Sequence, residues 1–156
     1  MVVPGHGPVR TDVSFGGAFY ALADARQFGL EIGTSRVRDL VDAATALSAA
    51  VNKAMPILHP VEQDLGFLYG RILNDGRERP EAGPSVNICV FADAEVDRSP
   101  TGSGVTARMA ARFQRGLVAI GEECEIDSVT GARFTGAEIR TTNCGANEAV
   151  VVRVIG

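Results

Sequence analysis

The residues best suited to chemistry are Asp97 to Gly104, which read Asp-Arg-Ser-Pro-Thr-Gly-Ser-Gly. They precede a segment with helical periodicity, Val105 to Arg115, so the pattern predicts a loop that leads into a helix. The first N–H groups of a helix lack intrahelical partners, and the helix dipole adds partial positive charge. The amides of Gly102, Ser103 and Gly104 are therefore predicted to bind an anion, either a carboxylate or a phosphate.

Asp97 adds a negative charge beside this predicted anion site. Together they favour a zwitterionic ligand, with its amine on Asp97 and its carboxylate on the amides. The alternative is an ordinary helix cap, in which Ser99 or Thr101 caps the helix and the glycines form a tight turn. Residue types alone leave both interpretations open. No lysine follows Gly104 and the glycine spacing differs from a dinucleotide fingerprint, so neither nucleotide motif is matched.

Composition excludes several function classes. The chain has 156 residues, 46% of them hydrophobic, which predicts a single domain with one core. A net charge of −4 with scattered arginines argues against nucleic acid as a partner. No apolar run reaches the roughly 20 residues of a membrane-spanning helix, and no signal peptide is seen, so we expect a cytoplasmic protein without membrane contact.

Cofactor and metal chemistry also find little support in the residue types. The cysteines are Cys89, Cys124 and Cys144. They are odd in number and far apart, which predicts neither disulfides nor zinc but small buried side chains. Lys53 is the single lysine and lies in a helical pattern, which disfavours Schiff-base chemistry. His6 and His59 are expected in loops. We therefore predict no cofactor and no metal.

The remaining patterns predict the elements that carry the loop. Val9 to Phe15 alternates like a half-buried strand, and Gly16-Gly17 separates it from a second strand, Ala18 to Ala23. A hairpin turn is the favoured role of these glycines, and close approach to a ligand is the alternative. Ser35 to Met55 predicts an amphipathic helix, capped by Thr34 or Ser35 and ended by Pro56.

Further strands are predicted along the rest of the chain. They cover Asp64 to Leu73, Val86 to Phe91, Glu123 to Val129, Ala132 to Arg140 and Ala149 to Ile155. Thr130-Gly131 predicts a hairpin turn between two of them, and Gly116 is expected to end the second helix. Strands joined by short turns, with two helices, predict an α+β fold with a largely antiparallel sheet.

The segment from Asp97 to Gly104, followed by Val-Thr-Ala-Arg, resembles the second active-site motif of the proline racemase superfamily. The segments Asn87 to Asp93 and Asp12 to Ala21 are also similar, so the resemblance covers most of the chain. In that superfamily the racemases and hydroxyproline epimerases carry a catalytic cysteine at the position of Thr101. The trans-3-hydroxy-L-proline dehydratase branch carries threonine, and this chain resembles that branch.

The resemblance implies a diaminopimelate epimerase-like fold of two lobes, each a curved sheet around a helix, with the substrate between them. Residues 1–156 would be the second lobe. The Met-Cys-Gly-His motif of the first lobe is not found, because Cys144-Gly145 is flanked by Asn143 and Ala146. We therefore expect Cys144 to be non-catalytic, the missing first lobe of the same protein to be a partner, and the chain alone to be inactive.

The implied activity is that of a cofactor-independent hydro-lyase acting on a small hydroxylated imino acid. Thr101 would be catalytic, and Asp97, Gly102 and Ser103 would bind the substrate. Elimination of water would give Δ1-pyrroline-2-carboxylate, and a homodimer is the candidate assembly. Two alternatives stay open, a racemase or epimerase that uses another acid and a non-catalytic imino-acid binding module. A purely structural role would leave Asp97 and the glycine cluster unexplained.

Overall fold

A computed structural model describes residues 1–156 as ten strands and two α-helices. The strands are β1 (Val2–Val3), β2 (Gly7–Pro8), β3 (Asp12–Phe15), β4 (Phe19–Asp24), β5 (Leu68–Asn74), β6 (Ser85–Phe91), β7 (Glu95–Val96), β8 (Glu123–Ser128), β9 (Arg133–Cys144) and β10 (Asn147–Ile155). The helices are α1 (Val37–Ala54) and α2 (Gly102–Gln114), and short 3₁₀ turns cover Ala25–Phe28, Gln63–Leu65 and Pro80–Ala82.

One large sheet has the strand order β10-β9-β8-β6-β5-β4-β3, with β7 added alongside β6. Its strand pairs are antiparallel except for β4 with β5 and β6 with β8. Helix α2 packs against β3 and β4 at one end of the sheet and against β9 and β10 at the other. The sheet therefore curls around α2, which confirms the predicted α+β fold with a curved, mostly antiparallel sheet around a helix.

The central strands are buried on both faces. Ala21, Leu73 and Ile88 belong to a large apolar cluster with α1 on the outer face. Their neighbours Tyr20, Ile72 and Cys89 form a smaller cluster with α2 on the inner face. Burial on both faces explains why the residues of β6 form an almost unbroken apolar run rather than an alternating one.

Helix α1 confirms the predicted amphipathic helix, except at its start. The N-cap residue is Arg36, with no side-chain cap, so the prediction of Thr34 or Ser35 as cap is wrong. Ser35 Oγ instead accepts the N–H of Glu31 at 2.9 Å, closing the preceding turn. The helix ends at Ala54, just before Met55-Pro56. Neither α1 nor α2 has the length and apolar character that a membrane-crossing helix requires.

Both predicted hairpins are confirmed, with shifted strand ends. Strand β3 pairs with β4 across Gly16-Gly17, although β3 begins at Asp12 rather than Val9. Strand β8 pairs with β9 across Thr130-Gly131. Strand β9 continues past its predicted end at Arg140 as far as Cys144, where it turns directly into β10. Strand β5 begins at Leu68, because a 3₁₀ turn occupies the first part of its predicted range.

Two arginines of α2 are buried, which the sequence pattern did not predict. Arg108 and Arg112 are each only 2% exposed. Arg108 donates to Asn87 Oδ1 at 3.1 Å and to Ser85 Oγ at 2.8 Å, both on β6. Arg112 donates to the Arg77 carbonyl at 2.8 Å. The Arg108 bonds tie α2 to the central sheet, and the Arg112 bond ties it to the loop that follows β5.

Glu138 on β9 is a buried titratable side chain, and it makes the stability of the fold depend on pH. Its side chain is fully buried and neither carboxylate oxygen has a hydrogen-bond partner. Burial raises the pKa of Glu138, and the nearby positive charge of Arg112 only partly opposes this. The neutral carboxyl therefore favours the fold at low pH, and this contribution is lost as pH rises through the folded-state pKa. Wild type should therefore lose stability relative to Glu138→Gln, by about 1 kcal/mol, over a pH range that begins near the ordinary glutamate pKa of about 4.3.

Urea unfolding of both proteins across that pH range measures this difference. The control is Glu148→Gln, since Glu148 is an exposed glutamate on β10. A stability difference between Glu138→Gln and wild type that stays constant with pH would contradict the prediction.

Candidate functional site

Helix α2 begins at Gly102, three residues before its predicted start at Val105, and Thr101 is its N-cap residue. The first helical bond runs from the Val105 N–H to the Thr101 carbonyl, at 2.7 Å. No group of the chain accepts the N–H of Gly102, Ser103 or Gly104. The three amides predicted to bind an anion are therefore available together at the start of α2.

Asp97 organises the loop before these amides. Its Oδ1 accepts the N–H of Ser99 at 2.8 Å and the hydroxyl of Ser99 at 2.9 Å. Its Oδ2 accepts the hydroxyl of Thr101 at 2.7 Å, and the Thr101 N–H donates to Ser99 Oγ at 3.0 Å. Thr101 occupies the N-cap position, as the helix-cap alternative allowed, but neither Ser99 nor Thr101 makes a side-chain capping bond to α2.

Thr101 has an unusual backbone conformation. Its φ is +68° and its ψ is 108°, a combination that a β-branched residue seldom adopts. The residue is 9% exposed, and its hydroxyl and N–H are both bonded within the loop. Strain of this kind persists only where the surrounding structure enforces it, and it is common at functional sites.

Asp97 is a carboxylate at neutral pH. Burial acts to raise its pKa, but the hydrogen bonds from Thr101 and Ser99 outweigh burial, and the pKa of Asp97 is lowered. Oδ2 accepts only one hydrogen bond from the chain, so it can accept another from a cation. The loop thus places a negative charge next to three free N–H donors, as a zwitterionic ligand requires.

The strands on either side hold the loop in place. The Asp97 N–H donates to the Cys89 carbonyl on β6 at 3.0 Å. The Arg98 carbonyl accepts the hydroxyl of Ser128 at 2.7 Å and also that of Thr130. Ser128 ends β8, which runs parallel to β6. The loop is therefore anchored at both strands and positions Thr101 over the sheet.

Cys89 lies beneath this loop and is fully buried. Burial raises the pKa of the Cys89 thiol to about 11, more than the hydrogen bond with Thr101 lowers it. The thiol therefore stays protonated and is a poor base at neutral pH. Its expected role as a small buried side chain is confirmed, and the same is true of Cys124.

Cys144 is only half-buried, so the prediction of burial holds for two of the three cysteines. Its Sγ lies 3.9 Å from His59 Nε2. His59 Nδ1 accepts the N–H of Glu62 at 2.8 Å, so the neutral ring carries its proton on Nε2. His59 is therefore not available to deprotonate the Cys144 thiol. No group of three or more His, Cys, Asp or Glu side chains is placed to hold a metal ion.

Gly16 packs directly against the backbone of the first turn of α2. A Cβ at Gly16 would lie inside the contact distance of the Ser103 carbonyl oxygen and of the Ala107 nitrogen. The hairpin role of Gly16-Gly17 is confirmed. The close approach that the glycine allows is to the first turn of α2.

Sequence reasoning missed Tyr20 and the aromatic rings beside it. The Tyr20 hydroxyl lies 2.7 Å from Ser103 Oγ. The ring of Tyr69 meets Tyr20 edge-on with centroids 5.8 Å apart, and it stacks on Phe91 at 6.1 Å. Tyr69, Phe91 and Phe67 help to line an open, mainly apolar cavity of about 510 Å³. These residues looked like ordinary strand positions, and only the pairing of β4, β5 and β6 brings Tyr20, Tyr69 and Phe91 together.

A family model described as proline racemase matches residues 1–156. The chain belongs to the proline racemase family. This confirms the resemblance seen in the Asp97 to Gly104 motif and in the two segments that accompany it.

Individual members of the proline racemase family align along almost the whole chain. It is 50% identical over 155 residues to trans-L-3-hydroxyproline dehydratase of Mus musculus, covering 99% of this chain and 44% of the relative. It is 39% identical over 153 residues to trans-3-hydroxy-L-proline dehydratase of Burkholderia cenocepacia, covering 98% and 45%. The chain thus spans less than half the length of these relatives.

A solved structure supports the fold directly. It is a hydroxyproline epimerase from Agrobacterium vitis with bound trans-4-hydroxy-L-proline, which is 30% identical with a TM-score of 0.89. The match covers 99% of this chain and 44% of the epimerase chain. The curled sheet around α2 is therefore the fold of part of a proline racemase family enzyme.

Proposed function

We propose that this chain is the second lobe of a two-lobed trans-3-hydroxy-L-proline dehydratase, a hydro-lyase that needs no cofactor. The observation that carries the proposal is Thr101 at the start of α2, with its hydroxyl on Asp97 and three free amides beside it. Relatives that are 50% identical and bear this name support the same activity.

The site offers a complementary group to each of the two charges of that substrate. Asp97 would hold the ring ammonium, and the amides of Gly102 and Ser103 would hold the carboxylate. The ligand would then be fixed at both charges, with Thr101 next to it.

The reaction begins when a base removes the proton from the α-carbon. Negative charge develops on the substrate carboxylate, where the Gly102 and Ser103 amides stabilise it. The C3–O bond then breaks, and the hydroxyl leaves as water with the proton that the base removed. The resulting enamine tautomerises to Δ1-pyrroline-2-carboxylate. Thr101 has no thiol that could return a proton to the opposite face of the α-carbon, so elimination proceeds instead of inversion.

The base is proposed to come from the other lobe. Cys89 is buried with its pKa raised, and Asp97, with its pKa lowered, is a weak base that already accepts hydrogen bonds. We therefore expect the chain alone to bind the substrate weakly and not to dehydrate it. A cytoplasmic location and a homodimer stay predictions.

An epimerase is the second candidate, because the solved structure with a TM-score of 0.89 is a hydroxyproline epimerase. The threonine hydroxyl at position 101 argues against it, since a hydroxyl is a much weaker acid than a thiol.

The direct test assays the full-length protein that contains this chain. Trans-3-hydroxy-L-proline is supplied and formation of the cyclic imine is followed, with trans-4-hydroxy-L-proline as the comparison substrate and residues 1–156 alone as a second sample. We expect imine from the 3-hydroxy substrate in the full-length protein only. Inversion of the 4-hydroxy substrate without any elimination would replace the proposal with the epimerase.

Asp97→Asn tests the carboxylate in the same assay. We expect kcat/KM to fall about tenfold to a hundredfold, because a charge-assisted bond to the substrate ammonium is lost. The matched control is Asp93→Asn, since Asp93 is exposed and has no hydrogen-bond partner in the chain. Equal kinetics for wild type and Asp97→Asn would exclude the assigned role.

A further inference from the structure

We propose that Tyr20 is a positioning residue, which holds the Ser103 side chain so that the Ser103 hydroxyl donates a hydrogen bond to the carboxylate of the ligand. The inference rests on the proposed function for the identity of the ligand. It adds a side-chain donor to the backbone amides already assigned.

The hydrogen bond between the hydroxyls of Tyr20 and Ser103 has a definite direction. Tyr20 is fully buried, and Ser103 Oγ, at 2.7 Å, is the one hydrogen-bond partner of its hydroxyl. If Ser103 donated, the Tyr20 O–H would be buried with no acceptor, which is costly. Burial also raises the pKa of Tyr20 to about 12, so Tyr20 keeps its proton at neutral pH. Tyr20 is therefore the donor and Ser103 Oγ the acceptor.

The Ser103 hydroxyl keeps its own proton free for a ligand. Once its oxygen accepts from Tyr20, its own hydrogen is free, and no carbonyl or carboxylate of the chain accepts it. Ser103 is half-buried at the second position of α2, between Gly102 and Gly104, whose amides are also free. A ligand carboxylate at these amides lies within reach of the hydroxyl as well. Ser103 then supplies two donors, its N–H and its O–H.

The β3–β4 hairpin holds Ser103 rigidly. Strand β4 carries Tyr20, and the turn before β4 carries Gly16, which packs on the Ser103 carbonyl. The hairpin thus contacts Ser103 at its backbone and at its side chain. Because both contacts come from the β3–β4 hairpin, the direction of the hydroxyl is set before the ligand binds, which reduces the cost of ordering it.

The experiment compares Tyr20→Phe, Ser103→Ala and the double variant in the full-length protein. Ser48→Ala is the control, because it removes a hydroxyl from α1, which packs on the opposite face of the sheet from α2. Binding of trans-3-hydroxy-L-proline and of its carboxamide is measured by calorimetry, and dehydration is measured separately. Thermal unfolding of every variant identifies any loss of fold, and Ser103→Thr tests rescue by a retained hydroxyl.

We expect Tyr20→Phe and Ser103→Ala each to weaken binding of the carboxylate about tenfold, with much less effect on the carboxamide. The double variant should bind no worse than Ser103→Ala, and Ser103→Thr should bind nearly as well as wild type. Additive losses, or equal losses for carboxylate and carboxamide, overturn the inference. Binding with this pattern but no dehydration would overturn the proposed function alone, and a wild-type protein that binds neither ligand overturns both.

Discussion

Thr101→Cys in the full-length protein is expected to gain exchange of the α-proton, at least about tenfold above wild type. A thiol has an ordinary pKa near 8.5, and the start of a helix lowers it, whereas the negative charge of Asp97 acts in the opposite direction. A cysteine at this position can therefore donate and accept a proton at neutral pH, which the threonine hydroxyl cannot do. Inversion would then compete with elimination.

Deuterium incorporation into recovered trans-3-hydroxy-L-proline, with its stereochemistry, measures this gain. The control is Thr101→Ser, which keeps a hydroxyl able to bond to Asp97 and should show no more exchange than wild type. If the cysteine and serine variants exchange the proton equally slowly, residue 101 does not contact the α-carbon and its assignment as catalytic is lost.

Gly16→Ala is expected to destabilise the chain by about 3 kcal/mol or more. The added methyl group would meet the Ser103 carbonyl oxygen and the Ala107 nitrogen, which belong to the backbone of α2. Backbone atoms cannot rotate aside as the end of a flexible side chain can. Either α2 moves away from the hairpin or the hairpin opens, and both changes displace the amides of Gly102 and Ser103.

Urea unfolding of residues 1–156 measures the loss. Gly102→Ala is the control for stability alone, because a Cβ at Gly102 meets no atom within 4 Å. Its stability should change by less than about 1 kcal/mol. A Gly16→Ala variant as stable as Gly102→Ala would show that α2 does not pack on the hairpin as described.

The local features of the site were predictable from the sequence. The glycines, Thr101 and Asp97 lie within eight residues of each other, and a helix start exposes its amides whatever surrounds it. The hairpins at Gly16-Gly17 and Thr130-Gly131 were predictable for the same reason, since glycine pairs and turn residues act over a few positions. The α+β fold followed from the order of these elements.

Competition between nearby hydrogen-bond partners was harder to predict. Ser99 and Thr101 are good capping residues by type, yet Asp97 takes both hydroxyls. The same happened at α1, where Ser35 bonds to the Glu31 amide instead of capping the helix. The residue type determines which groups a side chain can bond to. The folded loop determines which of those groups lie within hydrogen-bond distance.

The sequence by itself determined the chemistry available to this protein, namely a carboxylate, a hydroxyl and a row of free amides in one short segment. Tertiary structure decided which distant residues support that segment. Tyr20 lies 83 positions from Ser103, and Arg108 reaches 21 positions back to Asn87. The physical reason is that hydrophobic periodicity indicates only which side chains share a face of one helix or strand. The pairing of β4, β5 and β6 and the curl of the sheet around α2 determine what that face meets.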